Sequence, residues 1–384
     1  MIKYQRLGDN FMFHPFKIES YLTEHEKNVT YNYSESGVHP LKLGDFLELA
    51  GKDLNELANI EMDYPNVRGK IELREKIAAL YSGAKIGNIL TTIGASEANY
   101  LTAETLLKPG DEMIALQPAY LQLPGNALNN NITLRTVELI EDQNWALNTE
   151  QLMATVNSST KIISIINPHN PTGHILEQVE MDAIIQAAES VGAWIVADEV
   201  YAGTERGDTK PTRSFWGQYD RVIAINSMSK AYGMPGLRIG WIVAPEELIP
   251  EFQLRHEYTT ISSTMLGNEL ANIALDPEVR PKLTQRAREL INFGFDTLTE
   301  MLSAHGDIYK VVPPQASAMC IVRYDLPIDS LAFVDRLVHE KSTLVVPGSC
   351  FGLDHHFRCS SALPETYLRE GLNNINELVS EIKG

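Results

Sequence analysis

The chain has 384 residues, of which 44% are hydrophobic and 21% charged, and a formal net charge of −18 at pH 7. One hydrophobic core stops growing well below this length, so two domains are expected. The acidic balance disfavours a nucleic-acid or anionic-membrane surface, since both repel such a protein, and it fits a small cationic substrate only weakly. The three cysteines, Cys320, Cys350 and Cys359, show no CxxC spacing; their odd count, with no signal sequence, points to reduced thiols in the cytoplasm, and no metal site is expected. The N-terminal residues Met1–Arg6 lack the apolar core of a secretion signal, and no apolar run reaches the length of a membrane span.

In chain order, short apolar runs alternate with helical patterns from about residue 90 to residue 245. The runs are Met113–Leu116, Ile162–Ile166, Trp194–Ala197, Val222–Ile225 and Ile239–Val243. Their continuous apolarity predicts strands covered on both faces, as in a mostly parallel sheet. Between two of them Val179–Val191 reads as a helix, with Met181, Ile184, Ile185, Ala188 and Val191 on one side. After Pro277 a long charged helix is expected over Glu278–His305. Strands follow near Ser317–Arg323 and Thr343–Val346, then a closing helix after Pro364. Residues 46–289 are taken as a large domain, 290–384 as a small C-terminal domain, and 1–45 as a segment joining the small domain and the site.

Sheets of this kind bind ligands beyond the carboxyl ends of their strands, and polar motifs fall at those ends. Thr92-Ile93-Gly94-Ala95-Ser96-Glu97-Ala98 opens a helix, whose free amides make an anion site for Gly94, Ala95 and Ser96. In Asn167-Pro168-His169-Asn170-Pro171-Thr172-Gly173 two prolines fix the backbone, so that the Asn170 amide is presented as a donor. Asp198-Glu199-Val200-Tyr201 follows an apolar run, which places a buried carboxylate at a strand end. Such a group favours a positive charge beside it. In Ser227-Met-Ser-Lys-Ala-Tyr-Gly-Met-Pro-Gly-Leu-Arg-Ile-Gly240 a desolvated Lys230 could form a Schiff base with an aldehyde, while Ser227, Ser229 and Arg238 donate to a phosphate.

These motifs, in this order over about residues 30 to 375, resemble the class I/II aminotransferases of pyridoxal-phosphate fold type I. The resemblance implies an α/β fold, with a large domain built on a mostly parallel seven-stranded sheet between helices and a smaller α+β domain. It implies pyridoxal 5'-phosphate as cofactor, joined to Lys230, with its phosphate at Gly94–Ser96, Ser227, Ser229 and Arg238. Tyr120 would lie against the pyridine face, Asn170 and Tyr201 would bond the ring phenolate, and Asp198 would face the ring nitrogen. Arg358, in His356-Phe357-Arg358-Cys359-Ser360 behind the loop Pro347–Gly352, would clamp the substrate α-carboxylate through two hydrogen bonds. Tyr64 matches a tyrosine that reaches the neighbouring subunit's phosphate, implying a homodimer with shared active sites.

The chain departs from ordinary aminotransferases near its N-terminus. In place of a Gly-x-Pro turn it reads Tyr33-Ser34-Glu35-Ser36-Gly37-Val38-His39-Pro40. This is similar to the branch acting on L-arginine, which includes capreomycidine synthase and, more so, the oxygen-using arginine oxidases and hydroxylases. That implies an enzyme passing electrons from L-arginine to O2, giving 2-imino or 2-keto products that can also be dehydrogenated or hydroxylated. Lys230 would take the Cα proton and His39, whose intrinsic pKa suits the task, would act at Cβ. Gly37, Val38 and Asn170 are expected to touch the substrate, with Glu19 and Glu35 as partners for a guanidinium. Asn10–Tyr21 is expected to form a helix closing the site against water. An aminotransferase using a 2-keto acid, a cyclase or eliminase on a hydroxylated arginine, and a non-catalytic regulator on the same fold are the alternatives. The last would be expected to lose Lys230 or Asp198, or to carry a basic arm.

Overall fold

A computed structural model describes residues 13–384. Eight strands form the main sheet. In spatial order they are Ile89–Thr92, Gly240–Val243, Val222–Ser227, Trp194–Asp198, Thr160–Ile166, Glu112–Gln117, Thr133–Ile140 and Ala146–Leu147. The five strands from Val222–Ser227 to Thr133–Ile140 are mutually parallel, while Gly240–Val243 runs antiparallel to both of its neighbours. The expected seven strands are thus joined by an eighth, the two-residue edge strand Ala146–Leu147, which pairs antiparallel with Leu139–Ile140. Two residues carry no readable period, and for that reason the sequence did not announce it.

Alternate side chains of each central strand enter opposite cores. Ile163, Ile165, Ile195 and Ala197 pack on one face against Met181, Ile184 and Ala188 of helix Gln178–Val191. Ile162, Val196, Ile223 and Ile225 pack on the other face with Leu101 of helix Gly94–Leu106 and Phe252 of helix Ile249–Thr259. Burial on both faces is why these strands read as continuous apolar runs. Helix Gln178–Val191 stops at Gly192, whose φ of +70° closes the turn in the left-handed region.

The C-terminal region has its own core. Helix Arg280–Leu302 and the closing helix Glu365–Lys383 cover a four-stranded sheet in the order Tyr309–Val311, Met319–Tyr324, His356–Ser360, Val346–Pro347. Phe295, Leu298, Tyr324, Phe333, Phe357 and Leu372 fill the space between. The strand expected over Thr343–Val346 is divided: Thr343–Leu344 pairs in parallel with Tyr31–Asn32, whereas Val346–Pro347 joins the four-stranded sheet.

That parallel pair carries the N-terminal segment onto this core, and Tyr33 pins it there. The Tyr33 ring is fully buried, its hydroxyl donates to the Tyr367 carbonyl and accepts from the Gly371 amide at 3.1 Å. A Cβ on Gly371 would lie 2.1 Å from the Tyr33 ring, so only glycine leaves room. The N-terminal helix runs over Lys17–His25, further along the chain than expected. Of the expected helix, Asn10–Met12 lie outside the described residues. No helix among the described residues is long and apolar enough to cross a membrane.

Candidate active site

The parallel strands deliver their carboxyl ends to one cavity of about 230 Å³. Thr160–Ile166 leads to Asn170, Trp194–Asp198 to Asp198 and Tyr201, and Val222–Ser227 to Ser227, Ser229 and Lys230. Ala95 and Ser96 enter from the first turn of helix Gly94–Leu106, Tyr120 from the loop after Glu112–Gln117, and Arg358 from the small sheet. Arg238, Ser36, Glu19, Glu26 and Glu35 also line it.

At one end of the cavity, helix Gly94–Leu106 and strand Gly240–Val243 nearly touch. A Cβ on Gly240 would come within 2.4 Å of the Gly94 carbonyl carbon, and Gly94 itself has φ +69° with the Arg238 guanidinium above it. Free helix amides beside an exposed arginine form an anion cradle. Behind it stands a network that sequence reasoning missed. Buried Glu97 accepts from the Ile93 amide at 2.6 Å and from Thr260 at 2.8 Å, and pairs with buried His256 at 2.9 Å. Glu97 sits inside a quoted motif, but its partners lie about 160 residues away, beyond any local pattern.

Asp198 closes the deep end. Burial raises its carboxyl to about 6 against the bonds from the Val200 amide and Asn99, the latter 3.4 Å long. The neighbouring Glu199 is turned away into the protein, where burial raises it to about 8 and Ser214 and the Phe215 amide hold it. Tyr201 accepts from the Asn170 amide at 3.1 Å and donates to the Ser36 hydroxyl at 3.0 Å. Lys230 donates to the same hydroxyl at 2.7 Å. Burial depresses the lysine pKa, Glu35 opposes that shift and Arg358 adds to it. Ser36, inside the quoted N-terminal run but not singled out, is therefore a contact of the central amine.

Arg358 is 2% exposed and forms no ion pair or Nε hydrogen bond among the described residues, though the charges of Glu35 and Glu19 act on it. It donates to the Asn170 side chain at 3.0 Å and to the Ser34 carbonyl at 2.5 Å. A buried guanidinium left with an unused donor is arranged to receive an anion. Helix Lys17–His25 lies across the opening. Glu19 accepts from the Tyr120 hydroxyl at 2.9 Å, Phe16 meets the Tyr120 ring edge-on at 4.9 Å, and Ile18 is buried among Val346, Cys350 and Phe351.

Other expected residues stand elsewhere. Gly37 packs on Lys230, where an added Cβ would lie 3.5 Å from the lysine Cα and Cδ. Val38, expected at the substrate, packs in an apolar cluster with Ala287 and Ile291 and also borders a second cavity that reaches Lys230. His39 is outside the first cavity. It borders the same second one, of about 280 Å³, which shares Glu35, Ser229, Lys230 and Pro235 with the first. Burial, then the Arg286 guanidinium, lower its pKa. Tyr64 is 78% exposed and lines neither cavity within its own chain.

Residues 47–375 match the family model "Aminotransferase class I and II", and the chain belongs to that family. Capreomycidine synthase of Streptomyces vinaceus is 28% identical over 94% of this chain and 92% of its own length. The arginine–pyruvate transaminase AruH of Pseudomonas aeruginosa is 26% identical, covering 84% of this chain and 83% of its own. Aspartate aminotransferases of similar identity stand beside them. Among solved structures, a PLP-dependent aminotransferase from Streptococcus suis superposes with a TM-score of 0.90 at 26% identity, over 97% of this chain and 99% of the other. The fold is aminotransferase fold type I, the chain is a PLP-dependent enzyme of the aminotransferase type, and its cofactor is pyridoxal 5'-phosphate.

The cavity fits that cofactor. It offers an anion cradle, a buried carboxylate and an amine whose one hydrogen-bond partner among the described residues is a hydroxyl.

Proposed function

We propose that the enzyme acts on L-arginine or a close derivative, held by Arg358 at its α-carboxylate and by Glu35 and Glu19 along its side chain. The observation carrying this is the unused Nε of buried Arg358, in a cavity also lined by the carboxylates of Glu19, Glu26 and Glu35. A guanidinium on the substrate complements such a lining. Pyridoxal phosphate, when bound, supplies the electron sink for the pair left at Cα. Lys230 is read as the residue joined to the cofactor and as the base at Cα, since burial lowers the pKa of its amine. Asp198 is read as facing the ring nitrogen, Asn170 and Tyr201 the ring oxygen, and Gly94–Ser96, Ser227, Ser229 and Arg238 the phosphate. Tyr64, exposed here, is read as serving a neighbouring subunit in a homodimer.

Two fates of the electrons are supported by different observations. The relatives favour amino transfer to a 2-keto acid or cyclisation of the arginine side chain, because their names are an arginine–pyruvate transaminase and a capreomycidine synthase. Oxidation by O2 is supported by the Glu35–Pro40 run and by His39 beside a cavity that reaches Lys230. Oxygen uptake by the holoenzyme with L-arginine, first without and then with pyruvate, separates them. Sustained uptake without pyruvate establishes the oxidase. Alanine formation, with no uptake, establishes amino transfer. Neither, with a cyclic product from a hydroxylated arginine, establishes the cyclase.

A further inference from the structure

Ser36 is buried in the wall of the cavity, and among the described residues its hydroxyl is the one side-chain group hydrogen-bonded to both Lys230 and Tyr201. Both lone pairs of its oxygen are engaged, by the lysine amine at 2.7 Å and by the phenol at 3.0 Å. The backbone around it is fixed on both sides. Tyr33 anchors the preceding residue to the closing helix, the Ser34 amide and hydroxyl bond the Asn32 side chain at 2.9 and 2.6 Å, and the Val38 amide bonds the Lys230 carbonyl at 3.4 Å. Gly37 closes the gap, since any larger residue would press on the Ser229 carbonyl at 3.0 Å. The hydroxyl is thus placed by the chain rather than by a free rotation of a surface loop.

We propose that Ser36 is a positioning residue that sets the charge state of the Lys230 amine and ties it to the Tyr201 phenol. An oxygen that accepts from an ammonium stabilises the charged form, and it does so more strongly away from water. Ser36 therefore works against burial, which lowers the pKa of the amine. The other groups facing Lys230 are Glu35 and His39 of the same segment, Glu19 of the N-terminal helix, Asp198 and Tyr201 at the sheet, and Arg238 and Arg358. Of these charged groups none is hydrogen-bonded to the amine among the described residues. The hydroxyl, not a carboxylate, is its immediate partner. The same oxygen holds the phenol hydrogen, so a change of charge at the amine is felt at Tyr201, which burial keeps protonated.

The inference rests on Lys230 as the amine that joins the cofactor. It is tested by mixing protein stripped of cofactor with pyridoxal phosphate across a pH series and following the rate at which the lysine-bound chromophore appears. Only the neutral amine reacts, so the midpoint of the profile reports its protonation. Ser36→Ala is expected to lower the midpoint by about one unit and to speed the reaction about tenfold at pH values below it. Ser36→Thr, which keeps the hydroxyl, is expected to restore the wild-type midpoint. A general loosening of the loop would slow the reaction without moving the midpoint. A cofactor-binding Ser36→Ala protein with an unmoved midpoint overturns the proposal. Should Ser36→Ala not fold, Ser36→Cys decides, because a thiol is a weak acceptor: a wild-type midpoint there overturns it equally. Failure of the underlying lysine assignment shows separately, as a Lys230→Ala protein that still forms the wild-type chromophore.

Discussion

The floor and the roof of the cavity are built by different means. Asp198, Asn170, Tyr201, Ser227 and Lys230 stand at the ends of parallel strands whose side chains are buried on both faces. Their positions follow from the sheet, and moving any of them would disturb the core beneath. The roof, from Phe16 to His39, is held by a two-residue strand, one buried tyrosine and a nine-residue helix resting on Tyr120 and Phe351. A fold can keep the floor and alter the roof at little cost. This division fits the function proposed above, in which the floor holds a cofactor common to a whole family and the roof meets the substrate. Changes in the floor are accordingly expected to abolish cofactor chemistry for every substrate, and changes in the roof to alter substrate choice, except at Ser36, which reaches down to Lys230 and Tyr201.

The largest effect is expected at Lys230. Lys230→Ala should lower kcat by at least about 10⁴-fold and remove the lysine-bound chromophore while the circular dichroism stays native. Arg358 comes next. It is a wall residue from the small sheet, but its partners, Asn170 and the Ser34 carbonyl, belong one to each half of the cavity. Arg358→Lys removes the fork and the unused Nε, and is expected to raise KM for the amino acid about 10²-fold with the absorption spectrum retained. If KM holds and the spectrum changes instead, Arg358 belongs to the cofactor and the division between floor and roof fails there.

Legibility follows the same line. The floor could be read because each of its residues sits within a few positions of a continuous apolar run, so that local sequence states both the strand and what stands at its end. Asn170, Asp198 and Lys230 were found in this way, and the structure brings them to one cavity. Ile89–Thr92 and Thr133–Ile140 went unread; the second is largely exposed and alternates weakly. The roof was half legible. Its motif was visible, but the direction of each side chain depends on contacts hundreds of residues distant. Thus Val38 turned inward to Ala287 and Ile291, His39 fell beside a second cavity, and Ser36 took the place at Lys230 that no pattern had marked. The Glu97–His256 pair behind the anion cradle was silent for the same reason.

Asp198 sharpens the comparison through pH. Burial raises its carboxyl to about 6, above the roughly 3.9 of an unfolded aspartate. Between those values the folded, cofactor-free protein keeps a proton that the unfolded chain has released. It therefore loses stability through this group as pH rises from about 4 to about 6, and the loss is constant above that. Asp198→Asn removes this burden. At pH 7 the cofactor-free variant is expected to melt about 2 °C higher than wild type or level with it, with no gain below pH 4. The holoenzyme should move the other way, with kcat down about 10²-fold and a smaller rise in Tm on adding pyridoxal phosphate. Opposite signs in the two forms are what a floor residue held for its cofactor gives. A variant less stable in both forms would make Asp198 a structural residue.

The smallest effect is expected in the roof, and it is the one that separates the two regions most cleanly. Glu19 accepts from Tyr120 and faces the opening, while the helix carrying it is also held by buried Ile18 and by the bond from Tyr21 to Asp335 at 2.9 Å. Glu19→Gln keeps an acceptor for the Tyr120 hydroxyl and removes only the charge, so the helix should remain seated. KM for L-arginine is then expected to rise about fivefold, with KM for a neutral amino acid, the chromophore and kcat all unchanged. Tyr120→Phe breaks the same hydrogen bond but leaves the carboxylate, and should raise both KM values about equally. If Glu19→Gln raises them equally too, the carboxylate only docks the helix, and recognition of the cationic side chain falls to Glu35 alone.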